Sequence, residues 1–152
     1  MPNTPNNAYQ EHKQVRLTET TQFFDIDGIA DKTSPLPHTM PDVKKFTECM
    51  RQLRVRRTDN IVCYDAAGFF TSGRAHWMMR YFGAEHVRIL NGGLRKWIIE
   101  GRPLFKGEYV DGKGLPEEGD YNYEVVNPKM AVLDIKDVHK TAYYITQKAT
   151  DV

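Results

Sequence analysis

Two short apolar runs, each followed by glycine and then a helix-like segment, constrain the fold of this chain most strongly. The runs are 61–64 (IVCY) and 87–90 (VRIL); helices are predicted at 74–82 and directly after Gly92-Gly93. Strands that alternate with helices through short connections predict an α/β layer with parallel strands. With a further short strand predicted at 23–26, the sheet has about three recognisable strands, fewer than a sheet covered on both faces usually contains.

A third helix, upstream of the first run, is predicted to begin near Pro41, because proline suits a first helical turn. Its apolar side chains recur at helical spacing and define one buried face, made of Val43, Phe46, Met50 and Leu53. The helix at 74–82 has an equivalent inner face, made of Ala75, Met78, Met79 and Phe82. Gly83 follows where a left-handed cap is least costly, so this helix is predicted to end there.

Composition excludes several classes of function. The chain has 152 residues and a net charge of +1, which argues against a nucleic-acid-binding face, since such a face needs uncompensated positive charge. No apolar run reaches the roughly 18 residues of a membrane span. Two cysteines, Cys49 and Cys63, are too few for a disulfide scaffold and lack metal-ligand spacing. We therefore expect no metal, no cofactor and a reducing compartment.

Both flanks of the predicted layer are polar. Residues 1–22 carry only scattered apolar side chains and match neither a secretory signal nor an arginine-rich transit peptide. They are predicted to form an extended arm that only another surface would order. Residues 106–124 hold two lysines against six acidic residues, interrupted by glycine and proline, and are predicted to be a linker. Asp134 and Asp137 then indicate a capped final helix with the apolar stripe Ile135, Val138, Ala142 and Ile145.

Three stretches of the sequence resemble the rhodanese family, specifically the amino-terminal domain of two-domain thiosulfate and mercaptopyruvate sulfurtransferases. The first, 23–41, contains FFDID and SPLPH; the second, 62–83, contains VCYD and YFG; the third, 90–104, contains LNGGL. They occur in the family's order and spacing and together cover roughly residues 23–105. Most of these positions are architectural: the paired glycines allow a helix to approach the sheet closely, and Trp97 supplies a large apolar anchor.

The resemblance implies that catalytic activity depends on the loop from Asp65 to Arg74. In active members this loop begins with a cysteine, whose thiolate and persulfide are stabilised by loop amides and a helix terminus. The matching residue here is Asp65, and a carboxylate cannot form a persulfide. We therefore predict no catalytic residue in the loop, whose other members of interest are Gly68, Phe69, Phe70 and Arg74.

Two interpretations of Asp65 remain open at this point. In the structural one, its carboxylate accepts the loop and helix-end amides and fills an inherited anion site. In the functional one, it binds a cation or a substrate carried by another chain. Cys63 lies two residues earlier in an apolar run; it is either an inert core residue or a substitute nucleophile, and burial favours the first. Cys49 receives the same interpretation.

The larger side chains of this loop also have alternative interpretations. Arg74 is predicted to tie Asp65 or another carboxylate rather than to bind an anion. Phe69 and Phe70 resemble the aromatic segment that, in the two-domain family, helps to wall the active site of the other half. If they are exposed we interpret them as interface anchors, and if they are packed they are core residues.

The front of the chain departs from the family pattern. The family domain begins with a strand–helix–strand portion, where this chain has the polar arm, so the prediction is a three-layer rhodanese-like α/β fold without the family's first strands. Unpaired strand edges favour association. We therefore expect a catalytically inactive subunit of a larger complex, stable only with protein partners, one of which could complete the sheet.

Two other functions are weighed against this one. The chain could be the non-catalytic half of a split sulfurtransferase whose partner chain carries the cysteine. It could also be a binding module for a small anion, which the charge of Asp65 disfavours. The expected segments are an arm at 1–22, a partial domain at 23–105, and a linker with a helix at 106–152. The last helix resembles the start of a second domain, and a mitochondrial location is expected before a cytosolic one.

Overall fold

A computed structural model describes residues 8–126 and 135–140. In chain order its elements are α1 (Ala8–Gln14), α2 (Ile26–Ile29), α3 (Val43–Gln52), β1 (Asn60–Cys63), α4 (Ser72–Tyr81), β2 (His86–Ile89) and α5 (Gly93–Ile99). A short helical segment follows at 135–140. The α/β class and the strand–helix alternation after residue 60 are as predicted.

The sheet consists of β1 and β2, which pair in parallel with Ile61 opposite Val87 and Cys63 opposite Ile89. In the described part of the chain it has two strands rather than about three, because the strand predicted at 23–26 is wrong. Asp25 there caps α2 instead: its carboxylate accepts the amides of Asp27 and Gly28 at 3.0 and 2.9 Å. A side chain that satisfies these amides favours a helix start over a strand.

The core lies on one face of this sheet. Helix α4 packs against both strands, and α3 contributes Phe46, whose ring stacks on Phe82 at a centroid distance of 4.3 Å. Met50 and Met78 are fully buried in the same cluster. Val62, on the opposite face of β1, is 52% exposed, so this strand is not buried on both faces.

Helix α3 begins two residues later than predicted. Asp42 is its N-cap and accepts the amide of Lys45 at 2.7 Å, which leaves Pro41 outside the helix. Val43 is consequently in the first turn and exposed rather than buried. At the other end of the core, Gly83 has a φ of 90° after α4, as the sequence predicts.

Within the arm predicted at 1–22, the described residues 8–22 contact the same chain rather than extending freely into solvent. Residues 8–14 form α1, and Arg16 pairs with Phe105 through two backbone hydrogen bonds of 3.1 and 2.9 Å. The Arg16 side chain is 1% exposed and donates to the carbonyl oxygens of Gly107 and Glu108 at 3.0 and 2.8 Å. The surface that orders this segment belongs to the same chain.

The linker predicted within 106–124 is also wrong. Three tyrosines of this region are buried: Tyr109, Tyr121 and Tyr123. The Tyr123 hydroxyl donates to the carbonyl of Val55 at 2.9 Å, and the amide of Glu124 donates to Phe82 at 3.1 Å. Because the aromatic side chains anchor the segment, its acidic and glycine-rich composition does not make it a free connection.

The final helix is described only at 135–140, where Ile135 and Val138 are exposed. Asp134, Ala142 and Ile145, the other residues of the predicted cap and stripe, lie outside the described residues. None of the helices that the structure describes has the length and apolar character needed to cross a membrane.

Candidate functional site

The candidate site is the loop between β1 and α4, and it is organised by Asp65. Its carboxylate accepts four backbone amides: Oδ1 that of Gly68 at 2.6 Å, and Oδ2 those of Phe70, Thr71 and Ser72 at 2.7, 2.8 and 2.9 Å. We call these four N–H groups the amide cradle. The hydrogen bonds of the structural interpretation are therefore present, and three of them converge on a single oxygen.

The amide cradle stabilises negative charge at Asp65. Partial burial acts to raise the pKa of the carboxyl, but the hydrogen bonds from Ser72, Thr71 and Phe70 outweigh it and lower the pKa to about 2. The N-terminus of α4 contributes in the same direction, since its amides lack partners within the helix. Asp65 is therefore a carboxylate at every physiological pH.

Two glycines bring α5 against this loop. Gly93 has a φ of 54°, and a Cβ atom there would lie 2.5 Å from the Asp65 carbonyl oxygen and 2.9 Å from the Cα of Gly68. The amide of Leu94 donates to the same Asp65 carbonyl at 3.0 Å. The glycine pair expected to permit a close approach thus sets the position of the loop itself.

The chemistry available to this arrangement is anion binding. Converging amides at a helix N-terminus hold a thiolate, phosphate or carboxylate equally well, and here the protein's own side chain occupies them. A second anion at the same place would be repelled by the negative charge of Asp65. Within the described ranges, no three histidine, cysteine or acidic side chains are grouped to hold a metal ion.

Arg74 does not pair with Asp65 or any other carboxylate in the described residues, so that prediction is wrong. Its guanidinium donates to the backbone carbonyl of His38. His38 in turn lies with Nδ1 2.6 Å from the carboxylate of Asp27. The amide cradle satisfies Asp65 fully, which leaves Arg74 to tie the SPLPH segment to the start of α4.

Phe69 and Phe70 are exposed by 70% and 85%. Because both rings are exposed, Phe69 and Phe70 are not core residues, and their interpretation as interface anchors stays a prediction. The backbone amide of Phe70 is part of the amide cradle, whereas that of Phe69 is not, and both rings reach solvent. Aromatic side chains are enriched where proteins bind each other.

Neither of the two thiols is suited to act as the nucleophile in place of a cysteine at position 65. Cys63 is buried, with its sulfur 3.8 Å from the sulfur of Met79, and burial raises its pKa to about 11. Cys49 is half-buried; burial and the nearby carboxylates of Asp111 and Asp25 raise its pKa to about 11. Since the thiolate is the reactive form, neither is a nucleophile near neutral pH.

Sequence reasoning did not single out Thr71 and Ser72, although their amides form half of the amide cradle. A hydroxyl-bearing pair just before a predicted helix is a usable signal for a helix start. The helix was predicted from Arg74, two residues too late, so Thr71 and Ser72 were not identified as the residues whose helix-end amides Asp65 accepts.

Comparison with known proteins places these features among sulfurtransferases. The family described as Rhodanese-like domain matches residues 18–100. The 3-mercaptopyruvate sulfurtransferase of Escherichia coli K12 is 39% identical over 129 residues, which are 85% of this chain and 43% of that protein. The human 3-mercaptopyruvate sulfurtransferase is 36% identical over 110 residues, or 71% of this chain and 37% of that protein. The chain thus spans less than half the length of these curated relatives.

Solved structures agree with the sequence comparison. The crystal structure of SseA, a 3-mercaptopyruvate sulfurtransferase from Escherichia coli, superposes with a TM-score of 0.80 at 35% identity, covering 93% of this chain and 51% of that one. The Tum1 protein of Saccharomyces cerevisiae superposes with a TM-score of 0.74 at 28% identity, covering 89% of this chain and 43% of that one.

Proposed function

We propose a function from the premise that this chain belongs to the rhodanese-like domain family, among whose members the relatives named above are sulfurtransferases. The proposal is that the chain is a catalytically inactive member that acts as an interaction subunit of a larger protein complex. It corresponds in this proposal to the non-catalytic, amino-terminal domain of the two-domain enzymes. In it, residues 22–126 act as one folded unit against which residues 8–21 pack, rather than as an arm, a partial domain and a linker.

The observation that carries the proposal is the occupation of the amide cradle by the Asp65 carboxylate. Sulfur transfer through the protein needs a thiolate that attacks the donor's sulfane sulfur; the donor's bond to that sulfur breaks, the remainder of the donor leaves, and the cysteine becomes a persulfide. A carboxylate oxygen offers no such carrier, and its charge repels anionic donors such as thiosulfate. Cys63 and Cys49, with pKa values raised to about 11, do not supply a thiolate elsewhere.

The interaction role is supported by apolar surface that the described residues leave uncovered. Phe69 and Phe70 extend from the loop, and Val62 lies on the open face of β1. Solvated aromatic side chains on a rigid loop cost little to bury against a partner and contribute strongly when buried. A protein partner that presents an apolar pocket, or a strand or helix for the open sheet face, fits this surface.

A second candidate function is the non-catalytic half of a split sulfurtransferase. The exposed rings of Phe69 and Phe70 favour it, because in this hypothesis they would line the site of a partner that brings a cysteine-led loop. The two functions differ in what the partner carries. A cysteine-containing partner whose activity increases on mixing supports the split enzyme; a partner without activity supports the interaction subunit.

The experiment is native purification with identification of associated chains, followed by assays of sulfur transfer from thiosulfate to cyanide and from mercaptopyruvate to a thiol. We expect no turnover by the chain alone and loss of the partner in Phe70→Ser. Leu36→Ser is the matched control, since Leu36 is also an exposed large apolar residue but lies in another loop. Turnover by the chain alone, or equal partner loss in both variants, would contradict the proposal.

We infer a mitochondrial location in the same proposal. One relative, a thiosulfate/3-mercaptopyruvate sulfurtransferase of Arabidopsis thaliana that is 40% identical over 101 residues, carries the word mitochondrial in its name. Fractionation of cells that express the tagged full-length protein tests this, and exclusive recovery in the cytosolic fraction would contradict it.

A further inference from the structure

We propose that residues 8–21 form a strap that opens as a unit while the core stays folded, and that mild acid favours the open form. The strap is defined by α1 and the segment that follows it, and it lies on residues 105–111. It is attached by the two Arg16–Phe105 backbone hydrogen bonds and by the Arg16 side chain. This inference is independent of whether the chain transfers sulfur.

The strap is structurally separate from the core. No residue of 8–21 or of 105–111 belongs to the hydrophobic cluster built on Phe46, Met78 and Phe82 in the described residues. Helix α1 has seven residues, none of them buried, and a helix of that length is not stable without packing. Segments with few buried apolar contacts open locally at a lower free energy than the whole domain unfolds.

What holds the strap is a small aromatic cluster of its own. Tyr9 and His12 of α1 lie edge-on to Phe23 and Tyr109, with centroid distances from 4.5 to 6.0 Å. The guanidinium of Arg16 lies 4.8 Å from the centroid of the Phe105 ring and 5.3 Å from that of Tyr109. The closed strap therefore depends on one set of contacts that can be lost together.

The anchor of the strap is a buried charge without an anionic partner. Arg16 is 1% exposed, its two donated side-chain hydrogen bonds go to carbonyls, and its Nε has no hydrogen-bond partner among the described residues. Burying a cation that has no carboxylate partner and one unsatisfied donor costs free energy. This cost offsets part of the stabilisation that the strap gains from packing. Opening returns this guanidinium to water.

His12 makes the opening depend on pH. The groups that face it are Arg16 and Tyr9 on the strap, and Tyr109 and Asp111 across from it. Burial and the charge of Arg16 lower its pKa from 6.5 to about 4, against the opposing effects of the Thr21 backbone and Asp111. A lowered pKa means that the open strap binds the proton more tightly, so closure is fully favoured above pH 6.5 and weakens as pH falls towards 4.

Opening has consequences close to the candidate site. Leu17 and Thr21 of the strap lie beside the Tyr64 side chain, and Tyr64 directly precedes Asp65. The open form would release Tyr64 and expose the rings of Phe23 and Tyr109. An apolar surface that is covered at neutral pH would then become available in mild acid.

Hydrogen exchange of the full chain, expressed as protection factors corrected for intrinsic rates, tests this proposal. For the amides of Arg16 and Phe105 we expect protection to fall roughly thirtyfold between about pH 7.5 and about pH 5, the change implied by the His12 pKa shift. Amides of α4, such as that of Phe82, should keep their protection. Equal losses in strap and core, or no loss in the strap, would overturn the proposal.

Two variants separate the parts of the mechanism. His12→Phe keeps an aromatic ring but cannot be protonated, so the strap amides should lose their pH dependence while the core is unchanged. Arg16→Gln should lower strap protection at least tenfold at both pH values, with α4 amides unaffected. Retained pH dependence in His12→Phe, or loss of core protection in Arg16→Gln, would show that the strap is not an independent pH-sensitive unit.

Discussion

The backbone carbonyl of Asp65 lies 2.5 Å from the position that a Cβ atom would take on Gly93. The loop that carries the candidate site and the first residue of α5 therefore meet without room for any side chain. The family's paired glycines, which sequence reasoning treated as architectural, have a direct effect on the amide cradle, because Gly68 lies in the same contact.

Gly93→Ala should destabilise the protein by about 3 kcal/mol, since it combines a positive φ with a clash against backbone atoms that cannot move independently. Gly101→Ala is the matched control: Gly101 also has a positive φ, of 65°, but nothing lies within 4 Å of its added Cβ. We expect about 1 kcal/mol there. Urea denaturation of both variants measures the difference, and equal losses would refute the close contact.

Asp65 should make stability depend on pH in acid. Its folded pKa of about 2 is below its ordinary value of 3.8, so its contribution is complete above about pH 4 and is lost as pH falls through about 2. Because the carboxylate is partly exposed and solvent screens its interactions, we expect the loss to be about 1 kcal/mol, less than the shift alone implies. Asp65→Asn should remove this part of the acid dependence. Unfolding free energies measured from pH 5 to pH 2, with Glu118→Gln at an exposed carboxylate as control, test the assignment; parallel curves for Asp65→Asn and the native protein would contradict it.

Cys63 should be unreactive in the folded protein. Burial raises the pKa of its thiol to about 11, so both access and thiolate concentration are low. Alkylation with iodoacetamide followed by mass spectrometry should modify Cys63 only after urea is added. Rapid alkylation of Cys63 in the native state would reopen its interpretation as a nucleophile.

Replacing a buried phenylalanine should destabilise the protein strongly, whereas replacing an exposed one should leave its stability almost unchanged. Phe46→Ala, at a residue that is fully buried and stacked on Phe82, should cost about 3–5 kcal/mol. Phe70→Ala, at a residue 85% exposed, should change stability by less than about 0.5 kcal/mol. Thermal unfolding of the two variants makes the comparison. A large loss in Phe70→Ala would assign that ring to the core rather than to an interface.

The central part of the fold was predictable because its signals are local. The apolar run 61–63 makes up most of β1, β2 alternates Val87 and Ile89 with polar residues, and the inner face of α4 repeats at helical spacing. Asp65 as an acceptor of loop amides was also predictable, because a carboxylate in a loop that leads into a helix commonly accepts the amides of the helix start.

The strap and the region 106–124 were not predictable, because their anchors are non-local. Arg16 is polar by composition, and its burial depends on carbonyls and rings about ninety residues away. Tyr123 likewise depends on a carbonyl of Val55. Patterns read over short stretches of sequence show charge and glycine content, but they do not show contacts with residues far along the chain. Both segments were therefore predicted to be exposed to solvent.

Conversion of Asp65 to cysteine tests the central claim most directly. With thiosulfate, a thiolate at this position attacks the sulfane sulfur, the sulfur–sulfur bond of the donor breaks, and sulfite leaves as the protein persulfide forms. The four amides should lower the pKa of the new thiol and stabilise this product. Asp65→Ser, with an oxygen in the same place, is the control for folding without sulfur chemistry.

The measurement is intact-mass detection of a trapped persulfide after exposure to thiosulfate. The account predicts the addition of one sulfur atom to Asp65→Cys, located at residue 65, and none to Asp65→Ser or to the unaltered protein. A persulfide on the unaltered protein, at Cys63 or Cys49, together with thiocyanate formation that disappears when that cysteine is replaced, would contradict it.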